Sequence, residues 1–281
     1  FTLVAALQKG IGLKTVYNGA SPQQPDCWDT PVKNFGGKSY GDMDLIAATA
    51  NSVNSVYAQV NCEVTPAASA QVAALAGVTL PAPNVASNVL GVGDVHVLDM
   101  ASAYATFAAQ GVYTKPHIVA QVLNADGSVA FTGGGQSKRV FPQDVMADTT
   151  YAMQQVVQSG SGKAAVKPLG VPIAGKTGTS SDNKSAWFIG FTPRLVSAVA
   201  MFQNGEDGTS IESITPFGGV DQVTGGSWPA RLWADYMKPV LAMPAWQATA
   251  PFPPPAYVGS NPTPSVTPPE TPSGTPTPTE P

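Results

Sequence analysis

Three strand-like runs follow one another in the second half of the chain, separated only by short turns. They cover residues 171–179, 186–191 and 196–202. The turns contain Asp182-Asn183 and Thr192-Pro193-Arg194, residue types that favour chain reversal. Connections this short join antiparallel neighbours, whereas parallel strands need a long crossover. The pattern therefore predicts an antiparallel meander.

Helical patterns precede and follow this meander. The predicted helices cover residues 2–9, 42–60 with an interruption at 51–56, 97–110, 142–158 closed by Ser159-Gly160-Ser161-Gly162, and 228–243. A hairpin is also predicted around Asn124-Ala125-Asp126-Gly127. Helices on either side of a late meander predict an α+β fold, a mainly antiparallel sheet with helices on both faces.

The last thirty or so residues differ in composition from the rest. Of the 31 residues from Pro251 to Pro281, 12 are Pro, and most of the others are Thr, Ser, Gly or Ala. Such a segment has too little apolar surface to offset the entropy of ordering it. The sequence thus predicts a folded domain over residues 1–248 and a disordered Pro/Thr-rich tail over residues 249–281.

Charge and composition exclude several classes of function. Charged residues make up 11% of the chain, the net charge is -4, and no Lys/Arg cluster is present. Binding to nucleic acid is therefore not expected. No apolar run reaches the length of a membrane-spanning helix. His96 and His117 are isolated from each other and from the cysteines, so no metal site is predicted.

The chain has two cysteines, Cys27 and Cys62. One interpretation is a disulfide, which would place the protein in an oxidising, extracytoplasmic compartment. The other is a pair of unrelated buried thiols. The spacing favours the disulfide without requiring it.

Polar residues interrupt the first strand of the meander. Lys176, Thr177, Gly178 and Thr179 follow an apolar start, which is unusual for a core strand. It suits an edge that faces a ligand, because Lys and Thr side chains can hold a carboxylate and a glycine lets another backbone approach. The alternative is an ordinary hairpin edge with a solvated lysine.

A second polar group lies where the helix pattern of residues 42–60 is interrupted. Ser52-Val53-Asn54 would present a hydroxyl and an amide at a bend, as a proton relay and an amide-binding group require. Taken alone, this segment is better explained by ordinary helix capping.

Together the two motifs, Ser52-Val53-Asn54 and Lys176-Thr177-Gly178-Thr179, resemble the Ser-x-Asn and Lys-Thr-Gly motifs of the class A penicillin-binding proteins, the bifunctional peptidoglycan synthases. The surrounding residues are similar to the same family. They are the segments 45–51, 98–108, 187–193 and 225–237. The resemblance covers nearly all of residues 1–243 and implies a β-lactamase/transpeptidase-like fold.

This resemblance implies a serine D,D-transpeptidase that cross-links stem peptides ending in D-Ala-D-Ala and binds β-lactams, with no metal or organic cofactor. It implies catalytic roles for Ser52, Asn54 and Lys176, and substrate binding by Thr177, Gly178 and Thr179. It also implies action at the outer face of the plasma membrane, an anchor outside this chain, and other cell-wall synthesis proteins as partners.

The nucleophile of this family belongs to a Ser-x-x-Lys motif, which we expect a few residues before Phe1. The Ser181-Asp182-Asn183-Lys184 match lies in a predicted turn and is interpreted as coincidence. Two alternatives remain open. One is another enzyme of the same fold, such as a D,D-carboxypeptidase, a class B synthase or a β-lactamase. The other is a non-catalytic sensor or scaffold module.

Overall fold

A computed structural model describes residues 1–247 and 250–262 of the chain. The helices are α1 Thr2–Gln8, α2 Leu45–Asn51, α3 Asn54–Val64, α4 Pro66–Leu75, α5 Val97–Ala108, α6 Gln143–Gln158, α7 Lys163–Val166 and α8 Trp228–Ala242. The strands are β1 Val16–Asn18, β2 Asp42–Asp44, β3 Val112–Tyr113, β4 Gln121–Leu123, β5 Val129–Thr132, β6 Lys138–Arg139, β7 Ala174–Thr179, β8 Ser185–Phe191, β9 Val196–Asn204 and β10 Ile211–Glu212.

The predicted meander is the central sheet of the domain. Its strand order is β10-β9-β8-β7, and every neighbouring pair is antiparallel. Smaller two-stranded pairs form from β1 with β2, β3 with β6, and β4 with β5. Strand β7, which carries the Lys-Thr-Gly motif, is the outermost strand at one side of the sheet.

Helices cover both faces of the sheet because side chains alternate along β8. Phe188 faces α8, and its ring centroid lies 5.4 Å from that of Trp233. Ile189 and Phe191 face the larger core, to which α1, α3, α5 and α6 contribute. The predicted α+β fold with helices on both faces is therefore confirmed.

Helix α4 is the one long helix that the sequence patterns did not predict. Five of its ten residues are Ala, and no apolar stripe marks one face. A start signal was nevertheless present. The Thr65 hydroxyl accepts a hydrogen bond from the Ala68 N–H, and Pro66 occupies the first helical position.

The folded domain continues past its predicted C-terminal boundary at residue 248. Residues 250–262, which we call the C-terminal strap, pack against the domain instead of belonging to a disordered tail from residue 249. Phe252 is buried beside Phe191, with ring centroids 5.6 Å apart, and Ser260 forms a parallel bridge with Ile11. The rest of the predicted tail, residues 263–281, lies outside the described residues, as do residues 248 and 249.

A buried carboxylate holds this strap. Asp148 of α6 is fully buried, and its Oδ1 accepts hydrogen bonds from the N–H groups of Ala256 and Tyr257 at 2.7 and 2.8 Å. Its Oδ2 accepts one from the Val258 N–H at 2.7 Å. Backbone N–H groups exist at every residue but proline, so composition gave no sign of this attachment.

We expect Asp148→Asn to lower the free energy of unfolding by about 2 kcal/mol, because an amide loses the charge and replaces one acceptor by a donor facing N–H groups. Urea denaturation measures this loss. Asp144→Asn on the exposed first turn of α6 is the matched control and should change stability by less than about 0.5 kcal/mol. Equal effects of the two substitutions would contradict the role given to Asp148.

Among residues 1–247 and 250–262, no helix combines the length and the apolar character that crossing a membrane demands.

Candidate active site

The break between α2 and α3 exposes Ser52 at a sharp bend. Asp44 caps the start of α2 by accepting the Ala47 N–H at 2.8 Å, and the helix ends at Asn51. Ser52 has φ 55° and ψ 51°, a left-handed conformation that few residues other than glycine and asparagine adopt. Val53 is buried and anchors the bend. The chain therefore reverses at Ser52, and α3 starts two residues later.

Lys176 on the outermost strand meets Ser52 across the cleft. Its Nζ donates hydrogen bonds to Ser52 Oγ at 2.6 Å and to the Thr177 carbonyl at 2.9 Å. The two side chains are separated by 124 positions in sequence. The structure thus brings together the two motifs that the sequence placed far apart.

The environment of Lys176 lowers the pKa of its amino group towards neutral pH. The residue as a whole is only half-buried, but its amino group is enclosed by protein, and this desolvation lowers the pKa of Lys176 to about 8. The group is therefore mainly protonated at pH 7, and it is poised to lose its charge one pH unit higher.

Two threonine hydroxyls on β7 are held by neighbouring segments. Thr177 Oγ1 is 2.6 Å from Ser161 Oγ, and either atom can be the donor. Thr179 Oγ1 accepts the Gly225 N–H at 3.1 Å. Because that bond uses a lone pair of Thr179, its hydroxyl proton remains available to an anion.

Glycines allow these segments to approach β7 closely. A Cβ on Gly225 would lie 2.6 Å from the Gly178 carbonyl oxygen, and one on Gly226 would lie 2.4 Å from the Ser161 carbonyl oxygen. A Cβ on Gly178 would lie 3.3 Å from the Cβ of Trp187. Packing against β8 therefore already favours glycine at position 178, beside any role in admitting a substrate.

Asn54 is fixed by the loop that precedes β2. Its Nδ2 donates to the Lys33 carbonyl at 3.0 Å, while its amide oxygen accepts no hydrogen bond from the described residues. Asn34, next to Lys33, accepts the Ser55 N–H at 2.9 Å. The start of α3 and this loop thus hold each other, and the Asn54 amide oxygen is left free for a donor.

Cys27 and Cys62, the predicted disulfide pair, are bonded in the structure, with their Cα atoms 5.5 Å apart. Cys27 belongs to the loop that carries Lys33 and Asn34, and Cys62 belongs to α3. The bond consequently ties the loop to the helix that begins with Asn54.

The second serine–lysine pair in the sequence, Ser181 and Lys184, lies in a turn. Ser181 and Lys184 are exposed in the turn between β7 and β8, where Asp182 and Asn183 both have φ 55°. This turn lacks the regular helical spacing that brings a Ser-x-x-Lys pair together. Within residues 1–247 and 250–262, no cluster of three or more His, Cys, Asp or Glu side chains could hold a metal ion.

Sequence reasoning missed Ser161 as a neighbour of the site. The segment Ser159-Gly160-Ser161-Gly162 was interpreted as the end of α6, which it is. A repeated Ser-Gly pair is longer than a helix end needs, and this was the available signal.

Known proteins are similar to this chain in sequence. The family model described as the penicillin binding protein transpeptidase domain matches residues 1–216. Penicillin-binding protein 1A of Mycolicibacterium smegmatis is 36% identical over 222 residues, which are 71% of this chain and 28% of that protein. Penicillin-binding protein 1A of Mycobacterium tuberculosis is 34% identical over 223 residues, which are 71% of this chain and 27% of that protein.

Solved structures show the same fold. The penicillin-binding protein PonA1 from Mycobacterium tuberculosis superposes with a TM-score of 0.77 at 30% identity, covering 98% of this chain and 75% of that one. The structure of PonA1 in complex with penicillin V superposes with a TM-score of 0.72 at 28% identity, covering 94% of this chain and 73% of that one. The chain spans less than a third of the length of the two mycobacterial relatives. A family model that matches most of the chain, over a cleft built from the Ser-x-Asn and Lys-Thr-Gly motifs, shows that this chain belongs to the penicillin-binding protein transpeptidase family.

Proposed function

We propose that this domain supplies most of the active site of a peptidoglycan D,D-transpeptidase of class A. One observation carries the proposal. The Lys176 ammonium donates to Ser52 Oγ at 2.6 Å, in a cleft at the edge of β7, although nothing local in the sequence requires the two to meet. The similarity to penicillin-binding proteins 1A and to the penicillin V complex of PonA1 supports the same assignment.

The geometry suits a proton relay at Ser52. Lys176 donates to Ser52 Oγ, so the Ser52 hydroxyl proton is free to pass to the amine of the departing D-Ala. The donated bond from Lys176 also stabilises the oxygen as that proton leaves. The attacking serine would belong to the Ser-x-x-Lys motif of the family. As its oxygen bonds to the carbonyl carbon and the bond to the departing D-Ala breaks, its proton replaces the one that Ser52 gives to that amine. An acceptor amine then attacks the ester, takes the acyl group and returns a proton to the serine.

Substrate binding falls to β7 and to Asn54. An extended stem peptide, or a β-lactam mimicking it, can pair with the outer edge of β7 at Gly178. Its terminal carboxylate would meet the positive Lys176 and the hydroxyls of Thr177 and Thr179. The free amide oxygen of Asn54 would accept an N–H of the substrate.

The wider setting follows the same proposal. The Cys27–Cys62 disulfide supports an oxidising compartment, and we place the enzyme at the outer face of the plasma membrane, anchored by a segment outside this chain. Its partners would be stem peptides, β-lactams and other cell-wall synthesis proteins.

Mass spectrometry after incubation with penicillin tests the proposal. We expect one penicilloyl adduct on the full-length protein, located on the serine of Ser-x-x-Lys, and none on a protein made of residues 1–281 alone, because no activated serine is present there. An adduct on Ser52 or Ser181 would contradict the site as described. A full-length protein without any adduct would favour a non-catalytic sensor or scaffold.

A second assay separates the transpeptidase from a carboxypeptidase. The full-length protein is given a D-Ala-D-Ala stem peptide together with an amine acceptor. A cross-linked product supports the transpeptidase, whereas a shortened peptide alone would show that water is the acceptor.

A further inference from the structure

We propose that Ser161 is a substrate-binding residue, and that its hydroxyl contacts the carboxylate of the stem peptide or β-lactam beside Thr177. This inference rests on the proposed function and deepens it. The candidate carboxylate-binding hydroxyls in the sequence were Thr177 and Thr179. The structure adds a third one from a different segment of the chain.

Two neighbouring segments fix the position of Ser161. Its N–H donates to the Ala50 carbonyl of α2 at 3.0 Å, two residues before Ser52. Gly160 passes so close to Ala50 that a Cβ there would lie 2.0 Å from the carbonyl oxygen. On the other side, the Ser161 carbonyl lies against Gly226. Ser161 is therefore held between the helix that presents Ser52 and the glycine pair beside β7.

Burial distinguishes the two hydroxyl-bearing residues of the Ser161–Thr177 pair. Thr177 is only 9% exposed, whereas Ser161 is an exposed residue. Their oxygens are 2.6 Å apart. Ser161 is therefore open to solvent, and its hydroxyl lies beside that of Thr177, which is nearly buried.

The count of protons gives the pair one free donor. Two hydroxyls carry two protons, and the bond between them uses one. If Thr177 donates to Ser161, the remaining proton belongs to Ser161 and can point outward. An anion in the cleft favours this arrangement, because a hydroxyl that accepts a hydrogen bond is a stronger donor. Ser161 then complements the proton of Thr179 and the charge of Lys176.

The test measures acylation of the full-length protein by a penicillin and by the methyl ester of the same penicillin, which lacks the negative charge. We expect Ser161→Ala to slow acylation by the free acid about tenfold to a hundredfold, because a hydrogen bond to a charged group is lost. Acylation by the ester should change less than about twofold. Ser161→Thr, which keeps the hydroxyl, should restore most of the rate with the free acid.

Ser159→Ala is the matched control. Ser159 is exposed on the same segment, its hydroxyl donates to the Gln155 carbonyl, and its removal should leave both rates unchanged. An equal loss with acid and ester would show that Ser161 only supports the fold, and would overturn the inference, as would no loss with either. In both of these cases the wild-type protein still reacts, so the proposed function stands. A wild-type protein that no penicillin acylates would overturn both.

Discussion

Replacing Lys176 by Met should slow penicillin acylation of the full-length protein by a factor of about a hundred to a thousand. The ammonium both donates to Ser52 Oγ and supplies the positive potential of the cleft, and losses of this size follow removal of one such preorganised donor. Methionine matches the length of the lysine stem, so packing is largely kept. Stopped-flow acylation with a chromogenic cephalosporin measures the rate.

The pH dependence of the same reaction gives a second test. Burial lowers the pKa of Lys176 to about 8, so the ammonium loses its proton as the pH rises through that value. Acylation should therefore fall above about pH 8. The guanidinium of a Lys176→Arg variant keeps its charge at any working pH, so the fall in rate above about pH 8 should disappear. Because the guanidinium is wider than an ammonium, the rate at pH 7 should also be lower. A fall in rate above about pH 8 that persists in the Lys176→Arg variant would assign the titration to another group.

Unchanged acylation in the Lys176→Met variant would show that Lys176 takes no part in the reaction.

Replacing both cysteines by serine should lower the free energy of unfolding by roughly 3 to 4 kcal/mol. The bond between Cys27 and Cys62 closes a loop with a sequence separation of 35. A cross-link over that separation lowers the conformational entropy of the unfolded chain, which stabilises the folded state. Denaturation in urea without reductant compares the double variant with the wild type.

The same substitution should also weaken the site, because the loop that holds Asn54 through the Lys33 carbonyl is no longer tied to α3. We expect slower acylation in the double variant, with the effect on rate smaller than that of Lys176→Met. Wild-type protein treated with reductant is the control and should reproduce the double variant. Equal stability of the oxidised and reduced proteins would contradict the structural role of the bond.

Local pattern in the sequence predicted most of the elements. The three strand-like runs became β7, β8 and β9, and the main helices differ from the predicted bounds by a few residues. These elements depend on apolar periodicity and on turn residues, which neighbours in sequence determine. Helix α4 escaped because its Ala-rich residues give no stripe, although Thr65 and Pro66 marked its start.

The motifs identified the candidate site residues, but only the tertiary structure showed that they lie together. The bend at Ser52 uses a left-handed conformation in a residue that rarely adopts it, so no turn signal announced its direction. Packing of α2 against α6 and of α6 against β7 brings Ser52 to Lys176. The same packing sets Ser161 beside Thr177, a contact between two hydroxyls that no spacing rule connects.

The sequence by itself determined the order of the main helices and strands and the family motifs. Tertiary structure alone decided how the cleft is assembled and that residues 250–262 belong to the folded domain. The C-terminal strap shows the physical reason most clearly. Its backbone N–H groups donate hydrogen bonds to the buried carboxylate of Asp148 in α6. Nearly every residue carries such an N–H group. The composition that predicted disorder therefore contained no information about this acceptor.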